Sequence, residues 1–166
     1  MSKIHRLVGV SLATALACGL ATSANAQLLQ HKDLSSAIAT TIALTAVDAC
    51  KQAGYNVSVH VVGRNGEVLV GLRHHAAGVN TFENSWKKAY TSRTFRIASG
   101  KFAENVGQNP VAGQLFLANI TAARGALPIM IGEETIGAVG VSGAPGGDKD
   151  EVCAQAGIDK VKDQLR

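Results

Sequence analysis

Between Leu34 and Ala53 the apolar positions recur every four residues. Leu34, Ile38, Ile42 and Ala46 set the period, and Ala49, Cys50 and Ala53 extend the same side. That spacing is helical and Gly54 supplies a stop, so a helix is expected from Asp33 to about Ala53. Its alanines, serines and threonines make it thin enough to approach a neighbour closely. The period then changes to two. Val57, Val59 and Val61 alternate with Ser58 and His60, Arg64 to Gly66 supply a turn, and Val68 to Leu72 run back as the second arm of a hairpin. His60 falls on the face opposite the valines and is buried only if a helix covers that face.

Phe82, Trp86, Ala89, Tyr90 and Arg93 return to helical spacing, which predicts a second helix through "TFENSWKKAYTSRTFRIAS". The segment after it, "GKFAENVGQNPVAGQ", is rich in turn formers and is expected to be irregular. Two further strands, "ALPIMIG" and "ETIGAVGVSG", meet at a tight acidic turn at Glu133 and Glu134. A glycine-rich loop and a last helix close the chain, with Asp148 or Asp150 near that helix's N-terminus, where the helix dipole favours negative charge. The order helix, hairpin, helix, loop, hairpin, helix is an α+β pattern, with antiparallel strands packed against helices on one or both faces.

Residues 1–26 stand outside that pattern. Lys3 and Arg6 precede an apolar run, and Ala24 and Ala26 occupy the small positions that a signal peptidase reads. The segment is expected to be a secretory signal peptide cleaved after Ala26, since the run is short for a spanning helix. Removing it leaves 140 residues, enough for one domain over 27–166 with a core of its own. It also removes two of the 16 basic residues and none of the 12 acids, so the net charge falls from +4 to +2. With so mild a charge and no basic cluster interleaved with aromatics, nucleic acid is not an expected partner. The mature chain is expected to be periplasmic or secreted. It retains Cys50 and Cys153, on expected helices at opposite ends of the chain. In an oxidising compartment they can pair and tie the two ends together. Two buried thiols are the simpler expectation, because a bridge demands close and aligned Cβ atoms.

Candidate chemistry is sparse. The loop "GAPGGDKDE" lacks the Gly-Lys-Ser/Thr of a P-loop and its acids repel phosphate, so it is expected to turn the chain and cap the last helix. Ser142 matches a nucleophile elbow in outline only, and no carboxylate pair or Cys–His arrangement stands out. No catalytic residue is assigned. Lys87, Lys88, Arg93, Arg96 and Lys101 lie on or just after the aromatic helix. They form either a solvated face or a socket for an amphipathic anion, with Phe82, Trp86, Tyr90 and Phe95 as its apolar wall. His31, His60, His74 and His75 are the candidate metal ligands, since a neutral imidazole suits haem iron and other transition metals. Adjacent residues on an extended segment point opposite ways, so His74 and His75 are not expected to share one metal.

Two blocks carry a resemblance. The stretch from Gly132 to Gly157, "GEETIGAVGVSGAPGGDKDEVCAQAG", and the helical "SWKKAYT" from Ser85 to Thr91 are similar to the GlcG/HbpS family, which includes the C-terminal domain of PduO-type proteins. The similarity runs from about Leu34 to the C-terminus. It implies an α+β fold with a sheet of about five antiparallel strands flanked by helices, resembling profilin and roadblock domains. It also implies dimers or higher oligomers and, in several members, bound haem. The signal peptide fits the exported HbpS-like branch, which is linked to haem handling and redox sensing beside membrane partners. The chain departs from the family at the first hairpin turn, where Gly63 stands in place of an aspartate. It departs again after the second strand, where Arg73-His74-His75 replaces Arg-Met-Asp.

What the resemblance implies is therefore an exported haem-binding protein, for storage, transport or redox sensing, rather than an enzyme. One histidine would hold the iron, with His74 or His75 ahead of His31 and His60. The porphyrin would lie against Trp86, Tyr90 or Phe82, and Lys87, Lys88 or Arg93 would pair with its propionates. Such a site is expected to be completed between subunits of a homo-oligomer. The alternatives are an enzyme that degrades haem or consumes peroxide with it, and an accessory protein that contacts a membrane sensor or transporter.

Overall fold

The computed structural model describes residues 29–109 and 111–166, so the export segment expected over 1–26 lies outside the described residues. The first helix, α1 (Ser36–Gln52), starts where Ser35 accepts the Ile38 amide at 3.2 Å, an N-cap in place of the Asp33 start. It ends at the Ala53–Gly54 turn, with Gly54 at a positive φ. The hairpin follows as β1 (Ser58–Val62) and β2 (Val68–Arg73), then α2 (Thr81–Phe95), α3 (Ser99–Gly107), β3 (Ala126–Ile131), β4 (Glu134–Ser142) and α4 (Gly147–Lys160).

The strands form one antiparallel sheet in the order β2-β1-β4-β3. It holds four strands among the described residues, one fewer than the family pattern implied. The chain between α3 and β3 runs through turns and one 3-10 turn, Gly113–Phe116, and adds no strand. The cross-strand register pairs Val59 with Leu72 and Val141, and His60 with Gly71 and Gly140. Partners share a face, so one side of the sheet is apolar and the other is lined by small and polar side chains.

The apolar side carries α1 and α4. Val57, Val59, Val61, Val139 and Val141 pack there against Ala39, Ile42, Ala43, Ala46 and Ala154 as one buried cluster. The expected thinness of α1 has a counterpart on α4, where a Cβ on Gly157 would lie 2.6 Å from the Ile42 carbonyl oxygen. Cys50 and Cys153 meet at this helix–helix contact and are joined by a disulfide, with Cα atoms 5.5 Å apart. This corrects the expectation of two free buried thiols. Both cysteines sit on the buried faces of helices that the sheet brings side by side, and sequence spacing alone could not reveal that adjacency.

The polar side carries α2, so the condition set for His60 is met and the imidazole is buried. α2 lies so close to β4 that a Cβ on Gly140 would overlap the Ser85 carbonyl oxygen. α3 was not expected. Phe102 and Val106 are four residues apart and buried, and Phe102 stacks on Phe95 at 4.4 Å, so tertiary packing holds a helix in a segment whose glycines read as loop. The glycine-rich loop before α4 turns the chain as expected, but no side chain caps the helix; Asp150 Oδ1 instead accepts the Ala144 amide at 3.0 Å. Among the described residues no helix is long and apolar enough to cross a membrane.

Candidate functional site

The chain leaves β2 at Arg73 and enters a turn, closed by the Ala77 amide donating to the His74 carbonyl at 2.9 Å. Because the strand has ended, the alternation expected of His74 and His75 no longer applies. Their rings lie side by side, with centroids 4.2 Å apart and planes tilted by 33°. The expectation that they point opposite ways is corrected. They form one end of an open groove of about 370 Å³, whose remaining wall is Leu44 and Val47 of α1 with Leu72 and Arg73 of β2. Leu44 is half exposed at 51%. Its place off the main apolar stripe of α1 was the one sequence signal that could have pointed to this wall.

The two imidazoles differ in their chemistry. His74 Nδ1 accepts the Ala76 amide at 3.2 Å, which puts the proton of the neutral ring on Nε2 and makes that atom a donor. Partial desolvation, then the neighbouring His75 and Lys51, lower the His74 pKa and keep it neutral at pH 7. His75 is exposed and lines the same groove. Of the pair, His75 is the more exposed ring. Arg73 donates to the Ala77 carbonyl, holding the turn on which both rings stand.

The other predicted residues stand elsewhere. His31 is exposed in the segment before α1. His60 is buried under α2, with Nδ1 2.8 Å from Ser85 Oγ and its ring edge-on to Phe82 at 4.3 Å. The Ser85 hydroxyl donates to the Phe82 carbonyl at 2.9 Å, so His60 Nδ1–H is the donor to Ser85. Burial lowers the His60 pKa to about 4. With Gly71 against its Nε2 edge, this imidazole has no space beside it for a metal or a porphyrin.

Trp86, Lys87, Lys88, Tyr90 and Arg93 all lie on α2, on the far side of the sheet from the groove that His74 and His75 line. Trp86 packs on Val62, Ala89 and Ala138. Lys87 pairs with Glu83 at 2.6 Å. Lys88 turns inward to Asp150 at 2.8 Å and the Val141 carbonyl at 3.0 Å, and cannot meet a surface ligand. Tyr90 and Arg93 sit against the β1–β2 turn, at the opposite end of β2 from the histidines. Within one copy of the chain a single ligand cannot touch both sets. Aromatic and basic residues that are helically spaced were read together as a socket. The helix instead directs Lys88 and Trp86 partly inward, and the sheet separates the whole face from the histidines.

Among the described residues no three or more His, Cys, Asp or Glu side chains group to cage a metal ion. The donor set that exists is an exposed imidazole beside an apolar wall, with Lys51 close enough to influence His74 and Arg73 in the lining. That set suits a planar amphipathic ligand that brings its own metal and carries acidic groups.

Solved structures share this architecture. A structure of HbpS is 34% identical over 80% of this chain and 93% of its own, with a TM-score of 0.76. A double mutant of Streptomyces reticuli HbpS is 29% identical over 92% of this chain and 97% of its own, with a TM-score of 0.77. PduOC, solved as a haem complex, shares the fold at 23% identity over 76% of this chain and 94% of its own, with a TM-score of 0.70. No curated protein matches the chain in sequence. The family model described as haem degrading protein HbpS-like matches residues 34–159, from the segment before α1 almost to the end of α4. The match takes in the sheet, both helical layers and the histidine turn, and on it the chain belongs to the HbpS-like family.

Proposed function

We propose that the protein binds haem in the groove between α1 and the end of β2, with His75 as the axial ligand to iron. The observation that carries this reading is the exposed His75 ring lining an apolar groove, with the His74 ring beside it. Leu44, Val47 and Leu72 would take one face of the porphyrin. Arg73 and Lys51, rather than Lys87, Lys88 or Arg93, would meet its propionates. When bound, haem supplies a redox-active iron whose potential and open coordination position the surrounding protein tunes.

The groove is at the small end of ligand sites and open on one side, so it covers only part of a porphyrin. A second copy of the chain closing over it is the simplest completion, in keeping with the expected homo-oligomer. The cellular role that fits is haem storage, transport or redox sensing after export, beside a membrane sensor or transporter. The Cys50–Cys153 bridge supports the export reading, because such bonds persist in oxidising compartments. A haemin titration followed in the Soret region tests the site. A stoichiometric shift lost in His75→Ala, and kept in weakened form in His74→Ala, is expected. A His75→Ala protein that binds as the wild type does would sink the assignment.

A second reading, breakdown of the bound haem, is favoured by the family's description as haem-degrading. It predicts loss of the Soret band with iron release when reductant and oxygen are added. Haem that survives those conditions unchanged excludes it.

A further inference from the structure

At the opposite end of β2 from the histidines, the β1–β2 turn and the last turns of α2 border an open hollow of about 150 Å³. It is lined by Arg64, Asn65, Gly66, Tyr90, Arg93 and Thr94. The two arginines in this lining are in very different states. Every nitrogen of the Arg64 side chain is engaged, with Nε on Asp33 at 2.7 Å, Nη1 on Glu134 at 2.6 Å and Nη2 on the Lys32 carbonyl. Glu67, the acid of the turn itself, is folded back with Oε2 on the Asn65 amide at 2.8 Å.

Arg93 has no equivalent. Its Nε is buried and makes no hydrogen bond among the described residues. None of the ion pairs among the described residues includes it. Desolvation, then the like charges of Arg96 and Arg64, depress the Arg93 pKa, and Glu67 and Glu134 oppose this only in part. Natural proteins rarely leave a buried donor without an acceptor, and the carboxylates nearest Arg93 are engaged elsewhere, Glu134 on Arg64 and Glu67 on the Asn65 amide.

We propose that Arg93 is the centre of a binding site for a small oxyanion, a carboxylate or phosphate group, seated in this hollow beside Tyr90. The planar guanidinium fork offers parallel N–H donors to two oxygens of such a group, which a spherical halide cannot use. Size narrows the ligand further. Liquid water occupies about 30 Å³ per molecule, so the hollow admits on the order of five waters, room for a phosphate or a short carboxylate but not for a porphyrin. The Arg64 network with Asp33 and Glu134 pins the turn that forms one wall, so the hollow is held open by contacts separate from its ligand.

The test is to titrate acetate and phosphate separately into the protein in chloride-free buffer, following the Arg93 Nε–H resonance by 15N NMR and the binding heat by calorimetry. At least one anion is expected to give a saturating shift. The affinity should fall by about tenfold or more in Arg93→Lys, which keeps the charge and loses the fork, and vanish in Arg93→Gln. The anion that saturates at the lower concentration identifies a carboxylate-type or a phosphate-type site. Shifts that never saturate with either anion, or an Arg93→Gln protein that binds as tightly as the wild type, would overturn the proposal. Haemin binding should be unchanged in Arg93→Gln, so this test and that of the groove fail separately. Loss of haemin binding in that variant would overturn an independent anion site.

Discussion

Lys88 Nζ donates to Asp150 Oδ2 at 2.8 Å in a contact that leaves the two side chains 5% and 3% exposed, joining α2 to the first turn of α4. The same ammonium reaches the Val141 carbonyl, and Asp150 also accepts the Ala144 amide. Burial nevertheless raises the Asp150 carboxyl above its ordinary range, with Lys88 and the amide offsetting only part of that cost. Breaking such a pair from one side strands a buried charge. Lys88→Met is expected to cost about 3–5 kcal/mol in urea unfolding, and Lys88→Met with Asp150→Leu to recover most of it. A double variant no more stable than the single one would show that the pair is not the source of the loss.

The disulfide closes a loop with a sequence separation of 103. In the chain-entropy description, a loop of that length stabilises by about 4.7 kcal/mol. Thermal unfolding with and without a reductant that opens the bond should show a drop in Tm well beyond 10 °C. Cys50→Ala with Cys153→Ala should reproduce it without reductant. Matching melting curves would mean that the reduced chain retains the same constraint in another form.

His60 provides a pH dependence with a definite sign. Its folded pKa, about 4, lies below the ordinary histidine value of 6.5, so between those values the unfolded chain takes up a proton that the native state refuses. Stability is therefore full above pH 6.5, falls as the pH drops, and levels off below about 4. The difference is roughly 3 kcal/mol. His60→Leu leaves the Ser85 hydroxyl donating to Phe82 and should remove this component of the acid sensitivity. The difference in unfolding free energy between the two proteins should change by roughly 3 kcal/mol from pH 7 to 4 if His60 is the group responsible, and stay constant if it is not.

Gly140 lets α2 settle onto the sheet. A methyl there would meet the Ser85 carbonyl and the Ala89 amide, backbone atoms that cannot swing aside. Gly140→Ala is expected to destabilise by about 1–3 kcal/mol or more, as overpacked cores do. Hydrogen exchange should show α2 amides losing protection before those of α1. Uniform loss across both helices would argue against a local displacement.

On the groove, Leu44→Glu places a carboxylate on the proposed porphyrin face, at a position that is already half exposed. Haemin binding should weaken by about tenfold or more while Tm stays within a few degrees. Trp86→Phe, on the other side of the sheet, should leave haemin binding unchanged. The reverse pattern would return the site to α2.

The first hairpin and the helices α1 and α2 were legible because each is written in its own period, set by which face is buried, while the second strand pair and α4 were marked by the acidic turn and the glycine-rich loop that bound them. Ile42, Ala46 and Cys50 carry one such face, and Val57, Val59 and Val61 another. α3 was not legible, since its only apolar signal, Phe102 and Val106, is too brief to outweigh Gly100 and Gly107. The site was half legible. His74 and His75 could be singled out by composition, but their side-by-side placement depends on the strand ending at Arg73, and their partners Leu44 and Val47 arrive from a helix some thirty residues earlier. Lys88 shows the converse difficulty. On a polar helix face it reads as solvated, and only the approach of α4 makes it a buried ion-pair partner.

α1 is at once the wall of the groove, through Leu44 and Val47, and the helix anchored to α4 by the Cys50 bridge. A ligand that binds that wall meets a helix already fixed in place and does not have to order it, so the covalent bond subsidises binding from a distance. Such coupling is reciprocal. Whatever occupies the groove with α1 docked must in turn make the bridge harder to reduce. The resistance of one sulfur–sulfur bond to thiols then becomes a gauge of occupancy that requires no chromophore.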